Sequence, residues 1–178
     1  QMKDAASRHI QEFKETQDLH KRQKKQTVKI FVSAHKLVST FSSDIFQPVH
    51  VGSAKNPTRF PYYWSDADGE NISDRNPRYC ELTTQYWAWK NVDADYYGFC
   101  HYRRYFDFSE TVHEENAFGE IMDDYIDTKA EKEYGLYDEN IARVVKQYDV
   151  ITTPFGNLDE IINKYGSPRA LWEASPLL

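Results

Sequence analysis

The sequence predicts an α/β domain built on a mainly parallel β-sheet flanked by helices. Three observations support this fold class. Short β-branched, apolar runs alternate along the chain with longer runs that contain no helix breaker. A glycine or a proline closes two of the short runs, as is typical of strand ends. The 178 residues are enough for one domain with a well-buried core.

Composition narrows the classes of function. The chain has 22 Lys and Arg against 28 Asp and Glu, and the net charge of −6 argues against a nucleic-acid binder. Aromatic residues make up 15% of the chain, whereas disordered chains are poor in them. No apolar stretch is long enough to span a membrane and no secretory signal is present, so we expect a cytoplasmic protein. Cys80 and Cys100 are predicted to be buried free thiols.

The chain divides at residue 28. Residues 1–27 hold seven basic and four acidic residues without Gly or Pro, which predicts a solvated helix or linker. We assign residues 28–178 to the α/β domain. Residues 28–33 predict its first strand, and residues 48–52, which end in a glycine, predict the second.

A long polar loop and a helix follow. Residues 53–77 are rich in Pro, Asn, Asp and Gly, and a loop of this length in a compact domain is usually functional. Residues 77–90 predict a helix that begins with a proline and is capped by Asn76. Its aromatic face, which we expect to pack into the core, comprises Tyr79, Leu82, Tyr86 and Trp89.

Residues 96–106 predict a long strand whose last part alternates in side-chain direction. Residues 107–139 hold twelve acidic and two basic residues, which predicts a solvated, partly helical, insert-like stretch. Beyond it, we expect a helix over residues 140–147, a strand over residues 148–154 and a last helix over residues 158–165.

Candidate site residues follow the predicted strands. In open α/β sheets, ligands bind beyond the carboxyl ends of the strands. Ser33, His35 and Lys36 stand at the end of the first strand, and His101, Arg103 and Arg104 close the long strand, with Asp107 next. Guanidinium groups bind phosphate oxygens in pairs, which suits a diphosphate. The alternative is that the arginines form structural ion pairs.

The long loop supplies two further candidates. Asp66 and Asp68 form an Asp-x-Asp pair, a pattern that holds Mn²⁺ or Mg²⁺ in nucleotide-sugar transferases but is also common by chance. Asn71, Ser73 and Asn76 lie in a polar cluster just before the predicted helix, where unpaired N–H groups favour anions and sugars.

Six ordered blocks of the sequence are distinctive: residues 29–36 (KIFVSAHK), 48–52 (PVHVG), 69–73 (GENIS), 79–83 (YCELT), 86–91 (YWAWKN) and 98–106 (GFCHYRRYF). Together they closely resemble a bacterial family of capsular and exopolysaccharide biosynthesis proteins whose members are regarded as glycosyltransferases. The resemblance implies a GT-A-like, Rossmann-type domain that transfers a sugar from a nucleotide donor. The implied donor is a UDP-sugar, and the implied acceptor is a growing capsular, exopolysaccharide or O-antigen glycan. UDP-galactofuranose is one candidate donor.

The resemblance also implies which residues act. Carried over to this sequence, the family's motif residues are His35, Asn71, Ser73, Asn76, Glu81, His101, Arg103 and Arg104. The catalytic base stays open among His101, Asp107 and Glu81. By the same resemblance, we expect the transferase domain to continue beyond Leu178. A lipid-linked acceptor and membrane-bound biosynthesis proteins are the implied partners.

Two other functions remain open. The first is a carbohydrate-binding module without turnover, which the aromatic loop over residues 60–64 supports. The second is an assembly scaffold, in which residues 1–27 and the acidic stretch contact the biosynthesis machinery.

Overall fold

The computed structural model describes residues 26–56, 58–116, 119–153 and 159. Within these residues the chain forms, in order, strands β1 (Val28–Ala34), β2 (Phe46–His50) and β3 (Trp64–Ser65), a 3-10 helix (Ser73–Arg75), helices α1 (Asn76–Tyr79) and α2 (Leu82–Asn91), strand β4 (Tyr96–His101), and helices α3 (Thr128–Glu133) and α4 (Asp138–Val145). None of the described helices is long and apolar enough to cross a membrane.

The strands form one parallel sheet in the order β3-β2-β1-β4. This confirms the α/β fold class. In the register of the sheet, Ala34 of β1 lies beside His50 of β2, and Ser33 of β1 lies beside His101 of β4. The carboxyl ends of the strands therefore meet along one side, which we call the carboxyl edge.

Both faces of the sheet are covered. Successive side chains of β1 point to opposite faces, so Ile30 and Val32 belong to one apolar cluster and Phe31 belongs to the other. Ile141 of α4 packs into the first cluster. Trp87 of α2 packs into the second, where its ring meets that of Phe31 edge-on at 5.9 Å. The sheet is thus held between helices that come from distant parts of the chain.

The helix predicted over residues 77–90 is interrupted at Cys80. Cys80 has φ +47°, so α1 ends before it and α2 starts after it. Asn76 is not the predicted cap, because it lies within α1 and its side-chain amide donates to the carbonyl oxygen of Cys80 at 2.8 Å. Cys80 is also exposed rather than buried, although both cysteines are free as predicted. Burial raises the pKa of the Cys100 thiol to about 12.

The prediction that the aromatic face packs into the core is wrong. Tyr79, Leu82 and Trp89 are 43%, 52% and 67% exposed. The helix instead buries Thr83, Thr84, Trp87 and Ala88. The physical reason is that its rotation is set by a buried hydrogen bond from Thr83 to Asp66 and by the packing of Trp87 on the sheet.

Strand β4 ends at His101 and not at residue 106. The chain turns there, because the amide of Arg104 donates to the carbonyl oxygen of His101 at 2.9 Å. The side chains from Tyr102 onward therefore do not alternate across a sheet. Tyr102 is 7% exposed and Arg103 is exposed.

The predictions for the C-terminal part of the chain are confirmed only in part. Helix α4 confirms the helix expected over residues 140–147, two residues earlier than predicted. Residues 148–153 form no strand, and Tyr148 and Val150 are 55% and 78% exposed, since they pair with no strand of the sheet. The acidic stretch is mostly exposed and contains α3, but Phe108 and Leu136 anchor it to the core. Residues 1–25 and, apart from Asp159, the helix expected over residues 158–165 lie outside the described residues.

Candidate active site at the carboxyl edge

Basic and imidazole side chains collect at the carboxyl edge. His35 and Lys36 directly follow β1, and His101 ends the neighbouring strand β4. Arg103 and Arg104 lie in the turn just beyond and are exposed. The parallel register thus brings together His35, His101 and the two arginines, as predicted from their positions after two separate strands.

His101 has a carboxylate neighbour. Its Nε2 lies 4.0 Å from Oε1 of Glu81, the residue that precedes α2. Burial lowers the pKa of His101, the charge of Glu81 opposes that change, and the charges of Arg103, Arg104 and His35 add to it. A lowered pKa keeps the imidazole neutral near pH 7, so that it can accept a proton. The structure therefore pairs two of the three candidate bases.

Asp107, the third candidate base, lies in a different environment. Its Oδ2 is 3.6 Å from Nε2 of His113, and its Oδ1 accepts a hydrogen bond from the amide of Ser109 at 2.8 Å. These contacts hold Asp107 within the acidic stretch rather than against His101. It is therefore the weakest of the three candidates.

Three cations of the carboxyl edge have no acidic partner among the residues that the structure describes. Within the part of the chain that the structure describes, no carboxylate lies within 4.0 Å of the charged groups of Lys36, Arg103 or Arg104. The described residues therefore do not supply the structural ion pairs that were the alternative for these arginines. An unpaired group of positive side chains at a sheet edge favours the binding of an anion.

The metal-binding prediction does not fit the contacts of Asp66. This carboxylate is 0% exposed and accepts five hydrogen bonds, more than its roughly four lone-pair sites can take singly. The donors are the amides of Gly52 and Ser53 and the hydroxyls of Ser53, Ser73 and Thr83, at 2.5–3.0 Å. Asp66 thus joins the end of β3 to the loop after β2 and to α2, and we assign it a structural role.

Asp68 does not join Asp66 at a shared position. Its two carboxylate oxygens pair with the guanidinium of Arg59 at 2.9 and 3.2 Å on the surface. Among the described residues, no three His, Cys, Asp or Glu side chains are grouped so that they could hold a metal ion. We therefore derive no step of the chemistry through a metal at this pair.

The polar cluster before the helix supports the loop from within. Asn71 donates to the carbonyl oxygens of Ala67 and Gly69, both at 2.8 Å. Ser73 is fully buried against Asp66. Asn76 packs on Gly52, where a Cβ would come within 2.7 Å of the Asn76 side-chain oxygen. These residues shape the loop, and their polar groups are already bonded inside it.

Two residues at the edge, Tyr102 and His50, were not among the predicted candidates. Tyr102 lies between His101 and Arg103. His50, at the end of β2, is 2% exposed, stacks on Phe60 at 4.0 Å, and has an Nε2 without a hydrogen-bond partner. Burial lowers its pKa, against the opposing charge of Asp66. The signal that could have found both residues is their position at the carboxyl end of a strand.

An apolar groove of about 540 Å³ runs between α2 and β4. It is lined by Ile72, Leu82, Gln85, Tyr86, Trp89, Tyr97 and Phe99. Leu82 follows Glu81 and Phe99 lies two residues before His101, so one end of the groove adjoins the pair of candidate bases. The exposed aromatic face of α2 therefore opens onto the candidate site.

Comparisons with known proteins agree with this fold. A family model described as "Domain of unknown function (DUF4422)" matches residues 29–168. A solved structure titled "WbbM bifunctional glycosytransferase apo structure" shares 43% identity with the chain, with a TM-score of 0.66. The match covers 69% of this chain and 22% of the other, so the chain spans about a fifth of that protein. A search of curated proteins found no match.

Proposed function

Because the chain belongs to the DUF4422 family and is similar to part of a bifunctional glycosyltransferase, we propose that it is a glycosyltransferase domain that binds a nucleotide-sugar donor. One observation carries the proposal: Arg103 and Arg104, which pair with no carboxylate among the described residues, lie beside the imidazole–carboxylate pair at the carboxyl edge. The donor in this proposal is a UDP-sugar, galactofuranose being one candidate. The acceptor is a glycan of a surface polysaccharide, lipid-linked or not.

The leaving group needs positive charge in this reaction. When the bond between the anomeric carbon and the diphosphate oxygen breaks, the electron pair stays with the diphosphate, whose negative charge rises. In the proposal, Arg103 and Arg104 bind those oxygens through charge-assisted hydrogen bonds, and His35 contacts the donor from the end of β1. Asn71, Ser73 and Asn76 act indirectly, by holding the loop that borders the donor pocket.

The acceptor hydroxyl needs a base. Its oxygen attacks the anomeric carbon while its proton passes to the neutral imidazole of His101. The resulting imidazolium is stabilised by Glu81, 4.0 Å away, because the negative charge of Glu81 raises the pKa of His101. His101 is therefore the base in this proposal, and Glu81 is its charge partner.

Turnover of a donor panel tests the proposal. The protein would be incubated with a panel of UDP-sugars, with and without Mn²⁺, and release of UDP would be followed. We expect Arg103→Ala to lower kcat/KM for the accepted donor by about 10- to 100-fold, as for the loss of a charged hydrogen bond. The control is Arg143→Ala on α4, which removes a guanidinium that pairs with the carboxylate of Glu110 at 3.0 Å. Inertness toward every donor, together with UDP binding unchanged by Arg103→Ala, would overturn the proposal.

The apolar groove between α2 and β4 supports a second candidate function, glycan binding without turnover. Trp89 is 67% exposed and Tyr86 lies edge-on beside it, with ring centres 5.7 Å apart and ring planes at 80°, an exposed aromatic pair of the kind that ligand-binding clefts present. In the aromatic loop considered above, Phe60 stacks on His50 and Tyr63 bonds to Val38, which leaves Tyr62 and Trp64 exposed.

Calorimetry separates the two functions. Binding of neutral oligosaccharides that is lost in Trp89→Ala and retained in Tyr125→Ala, without any binding of UDP, would favour the binding module. Binding of UDP that depends on Arg103 would favour the transferase. Tyr125 is a suitable control because it is 72% exposed, does not line the groove and lies outside the aromatic loop.

A further inference from the structure

The ring of Tyr102 is the centre of the basic group at the carboxyl edge. The Lys36 ammonium lies over this ring, 5.8 Å from its centre, and the Arg103 guanidinium lies over it at 5.3 Å. The rings of His35 and His101 pack against it at 5.7 and 4.2 Å. Four cationic or titratable side chains at the ends of two strands thus contact a single aromatic side chain.

The ring itself is held firmly. Tyr102 is 7% exposed and belongs to the apolar cluster under the sheet. Its backbone amide donates to the carbonyl oxygen of Ser33 at 3.1 Å, which ties the residue after β4 to the end of β1. A ring fixed in this way offers a constant surface to the side chains that lie over it.

Lys36 and Arg103 repel each other, and within the described residues neither has a carboxylate to offset that repulsion. The negative face of an aromatic ring attracts both cations, and contacts within about 6 Å of the ring centre are favourable. The ring therefore keeps two long, exposed side chains near one place, instead of leaving them to spread into solvent. An anion with several oxygens is the ligand that would relieve the repulsion.

We infer that Lys36 is a third diphosphate-binding residue, and that the ring of Tyr102 is a positioning residue that holds Lys36 and Arg103 for this ligand. The inference rests on the proposed function, since the ligand is the diphosphate of a nucleotide donor. It adds a residue that follows β1 to the arginines that follow β4. The diphosphate is then bound from both sides of the junction between the two strands.

The role belongs to the aromatic face of Tyr102. Both cations contact the ring, so Tyr102→Phe keeps the contacts while Tyr102→Leu removes them. Pre-positioned ligands lose less side-chain freedom on binding, so removal of the ring weakens binding even though Tyr102 does not touch the ligand. Weaker donor binding, with kcat of the bound donor unchanged, distinguishes positioning from a part in the chemistry.

Calorimetry with inorganic pyrophosphate and with UDP, in buffer without divalent cations, tests the inference on the full chain. We expect Lys36→Gln to weaken both ligands about tenfold and to flatten the salt dependence of binding. Lys129→Gln, which removes an exposed lysine from α3, is the matched control and leaves affinity unchanged. Tyr102→Phe binds like the wild type, and Tyr102→Leu binds as weakly as Lys36→Gln or more weakly.

Thermal unfolding of each variant shows whether the variant is folded at the temperature of the binding measurement. This control is needed for Tyr102→Leu, which alters the core, whereas Lys36 is exposed. Affinity unchanged in Lys36→Gln would overturn the inference, even if Arg103→Ala abolishes binding and the transferase proposal stands. Loss of affinity in Tyr102→Phe equal to that in Tyr102→Leu would overturn the role of the ring. Conversely, pyrophosphate binding that depends on Lys36 upholds the inference even where no sugar donor is turned over.

Discussion

The Nε2 atom of His101 lies 4.0 Å from Oε1 of Glu81, and this contact joins the end of β4 to the residue that precedes α2. The two residues are 20 positions apart in the chain. Glu81 precedes Leu82, which lines the apolar groove, and His101 ends the strand beside the basic group, so the pair lies between these two surfaces.

The first prediction concerns the pKa of His101. Glu81→Gln lowers it further, because the charge of Glu81 is the influence that raises it, and Arg104→Ala raises it, because a nearby positive charge is removed. Titration of the His101 ring by NMR measures both changes without any substrate. Shifts in the same direction in the two variants would contradict the pairing described here.

The second prediction concerns the buried carboxylate. Asp66→Asn replaces an acceptor of five hydrogen bonds with an amide whose NH₂ group faces other donors. We expect a loss of about 3 kcal/mol or more in the free energy of unfolding, measured by urea denaturation. The control is Asp68→Asn, whose surface pairing with Arg59 contributes far less. Equal effects of the two substitutions would mean that Asp66 is not the structural centre of the loop.

The third prediction concerns the break between α1 and α2. Cys80 has φ +47° and ψ −131°, a conformation that glycine adopts without strain. Cys80→Gly is expected to stabilise the protein by about 1 kcal/mol, and Cys80→Val to destabilise it, since β-branched side chains are the least tolerant of positive φ. Urea midpoints of the two variants, beside Cys80→Ala, measure the difference. A continuous helix would give the opposite order.

The fourth prediction concerns the two tryptophans of α2. Trp87 is 2% exposed and contacts Phe31, so Trp87→Ala costs about 4 kcal/mol of stability. Trp89 is 67% exposed, and Trp89→Ala costs less than about 1 kcal/mol. Thermal and urea unfolding of both variants checks which face of the helix packs on the sheet. Similar losses in the two variants would show that the groove is part of the core.

The fifth prediction concerns acid stability. Burial lowers the pKa of His50 below the 6.5 of a free histidine, so on acidification the unfolded chain takes up this proton first. The contribution of the neutral His50 ring to the free energy of unfolding is therefore fully present above pH 6.5. It is lost as the pH falls toward the pKa of His50 in the folded protein. His50→Phe keeps the stacking on Phe60 and removes the titration. We expect it to lose less stability than the wild type between about pH 7 and about pH 5, and an identical loss would contradict the prediction.

Part of the fold was predictable because it depends on local patterns of apolar and helix-starting residues in the sequence. The consecutive apolar residues Ile30, Phe31 and Val32 predict a strand that is buried on both faces, and all three are buried in β1. The proline after Asn76 marks a helix start, and α1 begins there. The end of β4 was missed because the turn at His101 depends on a backbone hydrogen bond that side-chain alternation does not reveal.

Part of the site was predictable for the same reason. His35 and His101 follow strands, and parallel strands bring their carboxyl ends together, so their meeting at one edge follows from the fold class. Lys36 was placed at this edge by its position after the first strand, but its contact with the ring of Tyr102 was not predictable, because a cation over a ring leaves no spacing signal in the chain. Asp66 was misinterpreted because the Asp-x-Asp pattern does not show which donors will surround a carboxylate.

By itself, the sequence determined that the chain folds into a parallel α/β sheet and that basic residues stand at its carboxyl edge, because strand periodicity and residue order are local properties. Only the tertiary structure decided the rotation of α2. Thr83 bonds to Asp66 and Trp87 packs on Phe31, contacts between residues 17 and 56 positions apart, and together they turn Trp89 outward. The free energy of those distant contacts outweighed the apolar pattern of the helix, which is why the aromatic face lines a groove and not the core.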